Sequence, residues 1–156
     1  MNTAPHQKLI QEWKKQNYNI GIGPSKEEDI VSLEEKYDIK LPQDFRSYLL
    51  YSCPEPHGGE WDENLISWWP LQDIKNIPDE YNKAVKNLEV DKDSKQYLFF
   101  ADYCLWGWAW AICCKPGKNY GRVVWIGDGG FFANSFTKFI NIYVERSPDF
   151  TGVPED

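Results

Sequence analysis

From Tyr103 to Cys114 the chain reads Tyr-Cys-Leu-Trp-Gly-Trp-Ala-Trp-Ala-Ile-Cys-Cys, with three tryptophans at alternate positions and small residues between them. Only an extended strand sends alternate side chains to a common face, whereas a helix would scatter these rings around its axis. The run therefore predicts a strand over Trp106–Cys113. One face carries Trp106, Trp108, Trp110 and Ile112; the other carries Gly107, Ala109, Ala111 and Cys113. The bulky face needs a covering layer to keep it from water, and the small face lets another element approach closely. The 12-residue run is too short for a membrane-spanning helix, which needs about 18 apolar residues, and extending it backwards meets Asp102.

The flanking segments supply that layer. Leu9, Ile10 and Trp13 share one side of a short helix from Pro5 to Gln16, and Gly21-Ile22-Gly23-Pro24 interrupts the chain. Ser25-Lys26-Glu27-Glu28 reads as a capping box ahead of a helix with Ile30, Leu33 and Tyr37 on its apolar stripe. A further helix follows, with Pro42 in its first turn, where no N–H is needed, and Phe45, Tyr48 and Leu49 inward. Cys53 to Asn64 is a loop. Leu65–Leu71 reads as a strand, and Asp79–Glu89 as a helix with Tyr81, Val85 and Leu88 inward. Tyr97–Ala101 and Arg122–Ile126 are further strands, with Lys115–Asn119 as a connecting turn. Ser135 caps a last helix bearing Phe136, Phe139, Ile140, Tyr143 and Val144. Helices at both ends and strands in the middle predict an α+β fold over residues 1–156, a single domain with a mostly antiparallel sheet and helices packed against it.

Charge removes several functions. The chain has 17 Lys and Arg against 24 Asp and Glu, a net charge of −7. A nucleic-acid binder needs a basic face, and an anionic membrane surface attracts basic segments, so neither partner is expected. The first residues lack the apolar core of a secretion signal. The expectation is a cytoplasmic protein whose four cysteines, Cys53, Cys104, Cys113 and Cys114, are reduced thiols.

Candidate chemistry is sparse. No paired knuckle of metal-ligand spacing accompanies Cys53, His57 and Cys113-Cys114, so no metal is expected, and no third group orients Cys53 and His57 as a nucleophile pair. Gly127-Asp128-Gly129-Gly130 follows a strand, but no Lys-Ser or Lys-Thr follows it, and Asp128 would repel a phosphate. Glu60, Asp62 and Glu63 beside Trp61 look like a sugar subsite. Catalytic carboxyls, however, face each other across a cleft roughly 5–9 Å apart, which neighbours on one loop rarely do. No catalytic residue and no cofactor is assigned.

The distribution of charge says more. Between Ser47 and Ile74 there are five acids (Glu55, Glu60, Asp62, Glu63 and Asp73) and no Lys or Arg. Trp61, Trp68 and Trp69 lie in the same stretch. Acid steers a basic protein partner and tryptophan anchors it. Glu55, Glu60, Trp61, Asp62, Glu63, Trp68 and Trp69 are therefore the candidate partner-binding residues. A solvated loop above a Trp-rich core would give the same pattern.

A family pattern runs through these elements. Ile30-Val31-Ser32-Leu33-Glu34-Glu35-Lys36-Tyr37 followed by Leu41-Pro42-Gln43-Asp44-Phe45-Arg46-Ser47-Tyr48-Leu49-Leu50 resembles the N-terminal signature of the SUKH superfamily. That group unites fungal cell-wall glucan-synthesis regulators and bacterial toxin-immunity proteins. Phe99-Phe100-Ala101-Asp102, Gly107, Arg122-Val123-Val124-Trp125 and Ala133-Asn134-Ser135-Phe136-Thr137-Lys138-Phe139-Ile140 continue the likeness, over about residues 30–143. Cys53-Pro54 stands where the family usually has Asn-Gly, and the additional tryptophans are unusual. The resemblance implies an α+β fold without cofactor or catalysis, and a protein partner, a toxin domain, that the chain would neutralise. A nuclease toxin is basic because it grips phosphates, which suits an acidic inhibitor. A regulatory scaffold of cell-wall assembly is the alternative, with a carbohydrate-active protein more distant.

Overall fold

Tyr103 and Trp108 face each other across the first turn of a β-hairpin, their rings stacked 4.3 Å apart and within 9° of parallel. The hairpin is the centre of the computed structural model, which describes residues 4–18, 25–54, 61–127 and 130–146. Its strands are β2 (Tyr97–Tyr103) and β3 (Trp108–Cys113); β1 (Ile66–Trp68), β4 (Val123–Ile126) and β5 (Phe131–Ala133) complete a sheet of order β1-β2-β3-β4-β5. Every neighbouring pair is antiparallel. Around it lie α1 (Pro5–Lys15), α2 (Glu27–Tyr37), α3 (Gln43–Ser52), α4 (Ile77–Glu80), α5 (Leu88–Lys92) and α6 (Phe136–Arg146). The layout is α+β, as the order of elements along the chain implies.

The Trp108 ring meets Tyr103 and Trp125 of the sheet, and the covering layer over Trp110 is largely aromatic. α6 is central to it: Phe139 meets Trp110, Phe100, Trp68 and Phe132 at centroid distances of 5.1–6.1 Å. Phe45 of α3 packs on Phe100 and Phe136, and Trp13 of α1 sets its edge against Trp68. Each such pair adds about 0.5–1.5 kcal/mol beyond area burial. Successive phenylalanines serve both faces, as strand alternation dictates, with Phe100 toward the helices and Phe99 toward Trp69 and Trp106; the register with β3 shifts between Phe99 and Ala101.

Several local expectations change. Trp106 is outside the strand: Cys104, Leu105 and Trp106 have φ of 52°, 55° and 65°, and this left-handed turn carries the Trp106 ring to the face opposite Trp108 and Trp110. The helix expected over 79–89 is two short ones, α4 and α5, because Asn76 and Asn87 each cap a new start. Leu88 consequently points to solvent rather than inward. The strand at 65–71 shrinks to β1. The cap of α2 is Lys26 without a side-chain bond, so Ser25 forms no capping box; Glu27, Glu28 and Asp29 serve the helix N-terminus through charge instead. Pro42 stands just before α3 as its cap residue. Ser135 does cap α6, accepting the Lys138 N–H at 3.0 Å. β5 follows a Gly-rich stretch whose sequence predicts only a turn. Gly21 to Pro24 lies outside the described residues.

Candidate functional site

Three connections gather at the hairpin end of the sheet: the 61–65 loop, the 104–107 turn and the segment after β4. The Cys104 N–H donates to Leu65 O at 2.8 Å, joining the first two. Gly127, at φ 143°, brings the third so near that an added Cβ would stand 2.8 Å from Trp108 Cβ. In sequence, 47–74, 96–114 and 123–137 hold seven acids and no Lys or Arg, but beside the turn Lys75 pairs with Glu80 at 3.7 Å, and Glu80 also accepts the Trp106 indole N–H. At the far end, Lys115 pairs with Asp93 and Lys118 with Glu89. Ion pairs therefore lie toward both ends of the sheet, and Glu63 is the exposed acid of the 61–65 loop.

The predicted binding residues divide. Trp61 is 41% exposed and Glu63 is exposed, as a contact surface requires. Glu55 and Glu60 lie outside the described residues. Trp68 and Trp69 are buried, and both belong to the core. Asp62 is only 4% exposed, so this carboxylate is a structural acceptor and not part of a solvated acidic face. It takes the backbone N–H of Asn64 (2.8 Å) and of Ile66 (3.1 Å), the Trp68 indole N–H (3.2 Å) and the Tyr143 hydroxyl. Burial raises its pKa, and these donors oppose the rise. Gln16 extends the network, donating to Tyr143 and Glu12 at 2.9 Å each and accepting the Glu63 N–H at 3.1 Å. The loop that presents Trp61 is thus pinned to α1, β1 and α6.

The hairpin contributes residues that the alternating pattern did not single out. Leu105, at its tip, is 79% exposed, and Cys104 and Leu65 are exposed beside it. Left-handed backbone costs an L-residue roughly 1–2 kcal/mol, and Leu65, Cys104, Leu105 and Trp106 all adopt it. Trp106 restrains the turn. Its ring stacks on Tyr81 at 5.4 Å with 2° between planes, meets Phe99 edge-on, and donates its indole N–H to Glu80 Oε2 at 3.1 Å. On the same face Trp69 donates to Asp102 Oδ2 at 3.3 Å, and burial together with the nearby Glu80 charge pushes the Asp102 pKa up to about 6. The indole N–H groups of Trp108 and Trp125 are out of solvent and have no acceptor among the described residues.

Other chemistry finds little support. Among the described residues no group of three or more His, Cys, Asp and Glu side chains could hold a metal ion. Cys53, Cys113 and Cys114 are buried, and burial raises their thiol pKa values, Cys53 to about 11, which suppresses the reactive thiolate. No helix among the described residues is long and apolar enough to cross a membrane.

The profile of the SMI1/KNR4 family (SUKH-1) matches residues 24–142, most of the sequence. The chain belongs to the SMI1/KNR4 family. No curated protein matches it in sequence. The matched span of this SUKH-1 chain starts just before α2 and ends within α6, so it takes in the whole sheet and the 61–65 and 104–107 connections. α1, which carries Glu12 and Gln16 into the Asp62 network, precedes it. At family level, membership supports a protein-binding or regulatory role, and SUKH domains are generally non-catalytic.

Proposed function

We propose that the chain is an immunity protein, acting in the cytoplasm of the cell that makes it by binding and neutralising a basic toxin domain. The carrying observation is the acidic sequence around the exposed Trp61: residues 47–74 hold five acids and no Lys or Arg, and Glu63 is exposed beside the tryptophan. Unbalanced negative charge raises the encounter rate with a basic protein, and an exposed tryptophan on a pinned loop is a suitable anchor. Neutralisation needs occlusion of the toxin's own site and no chemistry from the inhibitor.

The test is co-expression with the C-terminal domain of the protein encoded immediately upstream of this gene. Protection of the cells, with the two chains co-purifying in a salt-sensitive complex, supports the reading. Unprotected cells, or an upstream product without toxicity, refute it and leave the regulatory role of the wider family.

A further inference from the structure

We infer that the β2–β3 hairpin tip is an anchor of this interface, with Leu105 inserted into an apolar pocket of the basic protein partner. The anchor presupposes the protein-binding reading above and adds to it a place and a residue.

Leu105 has no structural reason for its position. It is 79% exposed, and its φ of 55° is one that glycine or asparagine would adopt at less cost. Strained backbone persists only where the surroundings over-determine it, and here they do. The Trp106 ring is clamped by Tyr81, Phe99 and Glu80. The Cys104 N–H is tied to Leu65 O, and the Gly107 N–H to Tyr103 O at 2.7 Å. A leucine displayed on a rigid turn loses little conformational entropy when a partner closes over it.

Its surroundings extend the surface. Leu65, 37% exposed, is joined to Cys104 by a backbone hydrogen bond, and the exposed Trp61 belongs to the same 61–65 loop. Charge selects the occupant. The chain's net charge of −7, with Glu63 exposed on the 61–65 loop, repels a second copy of this chain, a nucleic acid and an anionic membrane alike, and attracts a protein of opposite sign. Leu88 provides an internal contrast. It is 89% exposed, but it opens α5 at the end of the molecule where Lys118 pairs with Glu89. An isolated exposed leucine of that kind calls for no partner.

The photo-crosslinker benzoylphenylalanine, placed at position 105 in one version of the full chain and at position 88 in another, tests the assignment in the cells that produce the protein. Position 105 is expected to trap one protein of net positive charge, identified by mass spectrometry, and position 88 is expected not to trap it. That protein, purified, should bind Leu105→Asp at least tenfold more weakly than wild type through faster dissociation, and Leu88→Asp unchanged. A basic partner captured by the tagged wild-type chain that binds Leu105→Asp with unchanged affinity overturns the anchor and leaves the protein-binding reading intact. An acidic protein trapped at position 105 overturns the choice of occupant. Absence of any basic partner from the tagged wild-type chain overturns both.

Discussion

Tyr143 donates its hydroxyl to the Oδ2 of Asp62, a residue 81 positions earlier in the chain, and so fastens the last helix to the loop that carries Trp61. The same oxygen takes the Trp68 indole N–H. The contact turns an acid that resembles solvated surface into part of the interior, and it separates the residues that hold the loop from those that a partner could touch.

Asp62→Ala should therefore be a stability mutant. It leaves the Tyr143 hydroxyl, the Trp68 indole and two backbone N–H groups short of an acceptor inside the protein. Buried donors left unpaired cost about 1–3 kcal/mol each. A loss of at least about 3 kcal/mol is expected, a fall of roughly 6–12 °C in melting temperature. Calorimetry on Asp62→Ala beside Glu63→Gln checks this, and equal melting temperatures would contradict the burial.

Trp61→Ala should behave in the opposite way. With 41% of its surface already exposed, the ring contributes little to the core. Its removal should alter the melting temperature by less than about 3 °C. If Trp61 anchors the partner, dissociation should accelerate by a factor worth about 2 kcal/mol, while Glu63→Gln slows association and weakens its dependence on salt. Stopped-flow kinetics with the purified partner at two ionic strengths separates the effects.

Asp102 gives the protein a signed response to pH. Its pKa is about 6 when folded, against an ordinary carboxyl value of 3.8. The folded state therefore binds the proton more tightly, and the stability this provides is complete below about pH 4 and lost as pH rises through about 6. Asp62, whose pKa is also raised, contributes with the same sign. Asp102→Asn keeps an acceptor for the Trp69 indole and abolishes the ionisation. It should be more stable than wild type at pH 7 by about 2 kcal/mol or less, given partial screening by solvent, with the advantage vanishing near pH 4. Urea titrations of both proteins at pH 4 and pH 7 measure the difference.

Gly127 should tolerate no side chain. Its φ of 143° is one that L-residues rarely adopt, and the added Cβ of Gly127→Ala would press on Trp108 Cβ at 2.8 Å. Backbone strain and overpacking each cost on the order of 1–3 kcal/mol, so a loss of about 3 kcal/mol is expected. Gly117→Ala is the control: it shares the φ, at 142°, but meets nothing within 4 Å. Thermal melts of the two variants isolate the contribution of the Trp108 contact.

The alternation of Trp108, Trp110 and Ile112 determined a strand and its buried face, because side-chain direction in extended chain is a local, two-residue property. The Phe136, Phe139, Ile140 and Tyr143 spacing determined α6 and its inward side in the same way, and the lack of Lys and Arg over 47–74 was legible as an acidic region. Tertiary structure decided the rest. Trp106 continues the alternation in sequence yet leaves the strand, since Glu80, 26 positions away, and Tyr81 hold its ring on the other face. Asp62 looks like its neighbour Glu63, but its environment is set by Tyr143 and Trp68. The segment after β4 reaches Trp108 only because antiparallel pairing returns β4 to the hairpin end of the sheet. Whether a carboxylate or a ring is buried depends on partners brought together by folding, and those distant partners leave no periodicity in a single sequence to be read.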